Sequence, residues 1–240
     1  MHPLFYAALG LAGLTARFLP YYCKIAYSEK NKTTLQVKMF LSSLFLLGAI
    51  LSLPTAEHTR HGFIYLMLCA FILCFVGDFL LGLSDRMAIF TAGSLCFAAG
   101  HTLNLIAFSL ASHHFFPDVK WWNGAEIGTF IVLVCVMLLI WVLRKPPFQT
   151  LFIPLFAYYF LVALAATKAV WFGLRMTALT PWTAMLPVGA LLFLCSDYTL
   201  GMLRFKAHPK TVAFKSFSTA SYFVAQMLTV LSMYFIIRYP

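Results

Sequence analysis

HGFIYLMLCAFILCFVGDFLLGL, residues His61–Leu83, is apolar from end to end apart from one formal charge, Asp78. A run of this length matches the roughly 20 residues that an α-helix needs to cross about 30 Å of hydrocarbon. A carboxylate inside such a run is costly and in want of a reason. The rest of the 240-residue chain has the same character, with 62% hydrophobic and 10% charged residues and a mean hydropathy of +0.88. That composition excludes a water-soluble domain. Apolar runs at Pro3–Tyr22, Thr34–Leu53, His61–Leu83, Met87–Leu110, Asn123–Leu143, Gln149–Phe172, Leu179–Met202 and Ser216–Arg238 predict eight transmembrane helices. The fold class is therefore all-α and polytopic. The whole chain, residues 1–240, reads as a single transmembrane domain whose chemistry must lie between helices or at their ends.

The amino-terminal run has no basic start and no small-residue cleavage site, so it reads as a span that is kept. Lys and Arg set the orientation. Eleven of them (Arg17, Lys24, Lys30, Lys32, Arg86, Arg144, Lys145, Arg204, Lys206, Lys210 and Lys215) fall at one end of the bundle. Arg60, Lys120, Lys168, Arg175 and Arg238 fall at the other, and Lys38 lies within a span. The positive-inside rule makes the richer end cytoplasmic and both termini non-cytoplasmic. The net charge of +10 is then a topology signal with attraction to anionic lipid, and no nucleic-acid partner is needed. The location implied is a cell membrane, the inner membrane in a bacterium or the endoplasmic reticulum in a eukaryote.

The six cysteines, Cys23, Cys69, Cys74, Cys96, Cys135 and Cys195, lie in or beside apolar spans without a CxxC, and they predict buried free thiols. His58 with His61, and His113 with His114, sit at helix ends, where solvation is the plainer reading than a metal site. No metal and no cofactor is expected.

The aspartate is written twice. GDFLLGL at Gly77–Leu83 and SDYTLGM at Ser196–Met202 share a small residue, Asp, an aromatic, then Leu and Gly at matching offsets. Both helices run toward the basic end, and each Asp lies about 8 Å from its exit at 1.5 Å per residue. FAAGH at Phe97–His101 is echoed by YFVAQ at Tyr222–Gln226, each an aromatic with a polar residue four positions on. The echoes suggest a four-plus-four tandem repeat whose pseudo-two-fold axis turns Asp78 toward Asp197. Lys38 and Tyr222 fall in the aspartates' layer, while His101, Asn104, Gln226 and Tyr158 fall deeper. A bland account has Lys38 snorkelling, each Asp pairing for structure, and Gln226 joining helices. Two carboxylates and a lysine at one depth weigh against it.

Burial and mutual repulsion favour one neutral carboxyl, able to donate a proton, beside an ionised partner steadied by Lys38. That pairing suits acid-base hydrolysis of a lipid. GxSxG, HExxH and Walker motifs are missing from the chain, so serine-esterase, zinc-hydrolase and NTP-driven readings have no support.

Lys38, GDFLL at Gly77–Leu81, GSLCFAAGH at Gly93–His101, LLFLCSDYTLG at Leu191–Gly201 and YFVAQMLTVLS at Tyr222–Ser232 resemble, in order and spacing, the YhhN family of membrane proteins, the lysoplasmalogenases. One departure is Asn104, where the family commonly has Tyr. The resemblance implies hydrolysis of the vinyl ether bond of a lysoplasmalogen, releasing a fatty aldehyde and glycerophosphocholine or glycerophosphoethanolamine. The catalytic residues expected are Asp78 and Asp197, with Lys38, His101, Tyr222, Gln226, Asn104 and Tyr158 around the substrate. The partners expected are a lysophospholipid and the bilayer, with the oligomeric state open. The rival reading is a small-solute or lipid transporter, or a lipid-binding membrane protein, which interrupted helices would favour.

Overall fold

A computed structural model describes residues 3–26, 32–55, 61–84, 86–144, 152–204 and 211–238. They form eight helices: α1 (Pro3–Ala26), α2 (Lys32–Ser52), α3 (His61–Leu83), α4 (Met87–Phe115), α5 (Gly124–Arg144), α6 (Phe152–Thr177), α7 (Met185–Arg204) and α8 (Val212–Ile236). Single 3₁₀ turns extend α2 through Thr55 and lead into α7 from Pro181. All eight are long and apolar enough to cross a membrane, and large apolar side chains such as Leu95, Val132 and Leu143 stand on the outer surface. Such a surface is stable only in hydrocarbon, so the chain is a multi-pass membrane protein.

Several helices overrun their expected bounds, with local causes. At the start of α8, the Thr211 hydroxyl accepts from the Phe214 amide at 3.3 Å, a cap that places the start ahead of Ser216. Asn123 starts α5 in the same way, taking the Glu126 amide at 2.9 Å. Helix α6 continues past Phe172 to Thr177 and carries Lys168 and Arg175 within it. Its cations do not end it because Glu126 of α5, wholly buried, takes Lys168 at 2.8 Å and Arg175 at 2.7 Å. Lys168 also donates to the Trp121 carbonyl.

Two tight helix pairs form the framework. Helix α3 meets α4 at Gly77 and Gly93, where a Cβ on Gly77 would lie 2.7 Å from the Phe97 ring and 3.2 Å from the Gly93 carbonyl. Helix α7 meets α8 through small residues again. Ser196 and Ser218 each donate to the other's carbonyl, at 2.7 and 3.2 Å, and a Cβ on Gly189 would approach the Ala225 carbonyl to 3.0 Å. Helices α2 and α6 flank these pairs, α2 reaching α8 and α6 reaching α4. Helix α1 lies on α2 and α8, whereas α5 packs mainly on α6. The repeat thus has a counterpart in the packing, with α2, α3 and α4 placed as α6, α7 and α8 are. Small residues let backbones approach, which is how helices associate where water cannot drive them together.

The cysteines depart from expectation. All six are free, but only Cys74 is buried; Cys69, Cys135 and Cys195 face outward, and Cys23 and Cys96 are half-buried. In a membrane protein an apolar thiol is as well accommodated by lipid as by the core, so an apolar setting in the sequence did not imply an inner one. His113 stacks on Trp121 at 5.2 Å. His58 and the side chain of His61 lie outside the described residues.

Candidate active site

The two aspartates are buried at the basic end of the bundle and line one cavity of about 440 Å³. Asp78 is held by three side chains. The Lys38 ammonium lies 3.0 Å from Oδ1 and also donates to the Asp78 backbone carbonyl at 3.0 Å. Ser42 and Tyr222 donate their hydroxyls to Oδ2 at 2.7 and 2.6 Å. Gln226 stands behind, its amide donating to the Tyr222 oxygen at 3.3 Å. Three donors, one a cation, suit a carboxylate, which only accepts.

Asp197 has a different surround. Tyr158 donates to Oδ2 at 2.5 Å, His101 Nε2 lies 3.3 Å from the same oxygen, and the Tyr159 hydroxyl reaches the Asp197 backbone carbonyl at 3.5 Å. Among the described residues no hydrogen bond falls on Oδ1, and no Lys or Arg pairs with this carboxyl. Aromatic rings separate the two sites. Phe193 meets His101 at 4.7 Å and Tyr222 at 5.4 Å, and Phe97 meets Tyr222 at 5.9 Å.

Each aspartate takes donors from the helix before its own and from the fourth helix of the other half. For Asp78 of α3 these are α2 and α8; for Asp197 of α7 they are α6 and α4. The two sites are thus interlocked between the two halves of the chain.

Lys38, Asp78, Asp197 and Tyr222 share this cavity, which Arg204, in the last turn of α7, and Lys215 also line. His101 and Tyr158, expected deeper, touch Asp197. Helical side chains lean toward their own amino terminus, so those of α4 and α6 drop toward the basic end while the aspartates of α3 and α7 rise from it. Gln226 and Asn104 stay deeper, where with His101 and Thr229 they line a separate space of about 40 Å³. Asn104 Oδ1 is buried there without a hydrogen-bond partner, so that oxygen joins neither aspartate network. Ser42 and Tyr159 were missed in the sequence. Ser42 had a signal, since it follows Lys38 by four residues and so shares its face. Arg204 and Lys215 were read for topology alone.

Among the described residues no group of three or more His, Cys, Asp and Glu is arranged to hold a metal. No curated protein and no solved structure matches the chain. A family model does match, over residues 33–233, which takes in α2 through most of α8 and every side chain of both aspartate networks. The chain belongs to the YhhN family.

Proposed function

We propose that the protein hydrolyses the vinyl ether bond of a lysoplasmalogen, giving a fatty aldehyde and a glycerophosphodiester, with Asp197 as the acid and Asp78 as the base. The observation that carries this reading is the unlike surround of two carboxyls in one cavity: a lysine on Asp78, phenols and an imidazole on Asp197. Environments that differ in this way assign acid and base. Family membership supports the reaction class.

The reaction needs one proton delivered to carbon and one water. Asp197, protonated on the oxygen free of protein donors, gives its proton to the β-carbon of the vinyl ether. The C=C electrons form the new C–H bond, and an ether-oxygen lone pair makes the oxocarbenium ion. Asp78 takes a proton from a water molecule whose oxygen adds to the cation, giving a hemiacetal. As the hemiacetal collapses, its hydroxyl gives a proton to Asp197 and becomes the C=O, the C–O bond to glycerol breaks, and the leaving oxygen takes the proton held by Asp78, so that both carboxyls return to their starting states. Lys38 steadies the negative charge of Asp78, and the nearby negative carboxylate steadies the cation. Arg204 and Lys215, which line the same cavity, suit the substrate's phosphodiester.

The carrier reading has less support, because α3 and α7 continue as unbroken helices through Asp78 and Asp197. The basic end is read as cytoplasmic and both termini as non-cytoplasmic, which tags at each end report directly. Purified protein given a lysoplasmalogen should release aldehyde, caught by a hydrazine trap, and should leave the matching ester lysolipid intact. Fatty acid released from the ester, or no aldehyde from the vinyl ether, would sink the reading.

A further inference from the structure

A second space of about 450 Å³ lies beside the polar cavity, between the first halves of α4 and α6 with α7 as its floor. Its walls are mostly apolar, with Met87, Leu95 and Ala98 from α4 and Leu155, Ala157 and Leu161 from α6, though Thr91 of α4 and Tyr158 and Tyr159 of α6 also line it. Ser94 also faces it, but its hydroxyl is turned back onto the Phe90 carbonyl at 2.9 Å. The groove follows α4 from Met87 to Ala98, about 16 Å of helix rise. Leu95 at its edge is 65% exposed, so the slot opens sideways toward lipid.

An apolar slot on a membrane protein ordinarily holds bilayer lipid and nothing follows from it. This one ends on a carboxyl. Asp197 lies on its floor and also lines the polar cavity, and Leu81, Phe90, Phe97 and Leu200 border both spaces. The two compartments therefore meet at the residue proposed as the acid, one lined in part by Lys38, Arg204 and Lys215, the other mostly by apolar side chains. A molecule that fills both has an anionic polar head, a single unbranched chain, and its head-to-chain junction at Asp197.

We infer that the α4–α6 groove seats the single hydrocarbon chain of a lysophospholipid, which enters sideways from the membrane and passes between Phe97 and Leu200 so that the bond joining chain to glycerol lies at Asp197. The inference rests on the hydrolase reading for the nature of the headgroup, but the groove can be tested without turnover. Small residues make the room, Ala98 on one wall and Ala157 on the other, and a larger side chain at either fills the slot.

The test measures binding of a saturated hexadecyl ether lysophosphocholine, which lacks the cleavable double bond, to purified protein in detergent. Ala98→Trp and Ala157→Trp should each weaken it by about tenfold, the equivalent of withdrawing roughly two buried methylenes. An octyl analogue should be affected much less, and Val132→Trp on the lipid-facing side of α5 should change nothing. Melting temperatures show whether each variant is folded. A second measurement uses unmutated protein: a diazirine at the chain terminus should label α4 and α6 peptides and spare α5. Folded groove variants with parent-like affinity, or labelling centred outside α4 and α6, would overturn the proposal. Equal binding of a two-chain phospholipid would make the groove an ordinary lipid seat, and equal binding of palmitate would remove the role of the headgroup; either ends it. Chain binding as described with no aldehyde release from a lysoplasmalogen would uphold the groove and reject the reaction.

Discussion

Asp78 and Asp197 occupy matching places in the two halves, and each is gripped by the helix before its own and by the last helix of the other half. The echoed motifs stop matching at the donors themselves. In α8 the aromatic position, Tyr222, bonds to Asp78 while Gln226 supports it; in α4 the aromatic position, Phe97, is wall and the polar one, His101, reaches Asp197. In the helix before each aspartate, Lys38 and Ser42 have Tyr158 as their counterpart. Two similarly packed helix pairs supply two carboxyls to one cavity. Unlike neighbours make them chemically unlike, and the proposed division into acid and base depends on the second fact, not the first.

Neutralising each aspartate should have the largest effect. Asp197→Asn and Asp78→Asn should each lower turnover of a lysoplasmalogen by about 10³-fold, within the range supplied by general acid-base groups. The double variant should be little worse than either single, because a pair acting as a unit is disabled by the first change. Folded single variants with parent-like turnover would show that the repeated aspartate is structural. Lys38→Met should reduce turnover by about 10- to 100-fold, in line with losing a charge-assisted hydrogen bond. Lys38→Arg should recover part of that loss. Equal activity in Lys38→Met and the parent would erase the difference between the two sites.

Smaller effects sharpen the contrast. Tyr158→Phe and Tyr222→Phe each remove one hydroxyl donor from a carboxyl and should cost about tenfold in kcat. Parent-like kcat in a folded Tyr158→Phe or Tyr222→Phe variant would contradict the role given to that hydroxyl. Glu126→Gln should have the least effect on chemistry and a large one on stability. It leaves Lys168 and Arg175 without their buried anion at a cost of about 3–5 kcal/mol, read as a lower melting temperature with unchanged turnover per folded molecule.

Much of this was legible from the chain. Eight spans follow from apolar runs of membrane length, because hydrocarbon forces each crossing segment to satisfy its own backbone. The twin aspartates, Lys38 and Tyr222 were legible because an ionisable group in such a run needs a partner and helical rise gives its depth. Lys168 and Arg175 were placed only roughly, since nothing in their own stretch shows that Glu126 on the neighbouring helix would neutralise them. Burial of the cysteines was misjudged because lipid-facing and core-facing positions are equally apolar in sequence.

A membrane protein of eight helices with two carboxyls inside its spans could be read from the residues alone. The signals are properties local to each segment: length, hydropathy and residue count along a helix. Which donors reach which carboxyl depends on the packing of the helices in three dimensions. Tyr222 meets Asp78 from 144 residues away, and His101 meets Asp197 from 96. Those meetings depend on which helices lie side by side and on how their side chains lean, both set by close packing at Gly77, Gly93, Gly189 and the Ser196–Ser218 pair. The meeting of a polar cavity with an apolar groove at Asp197 was likewise invisible in the chain, since a cavity is the space left between helices and has no residue of its own.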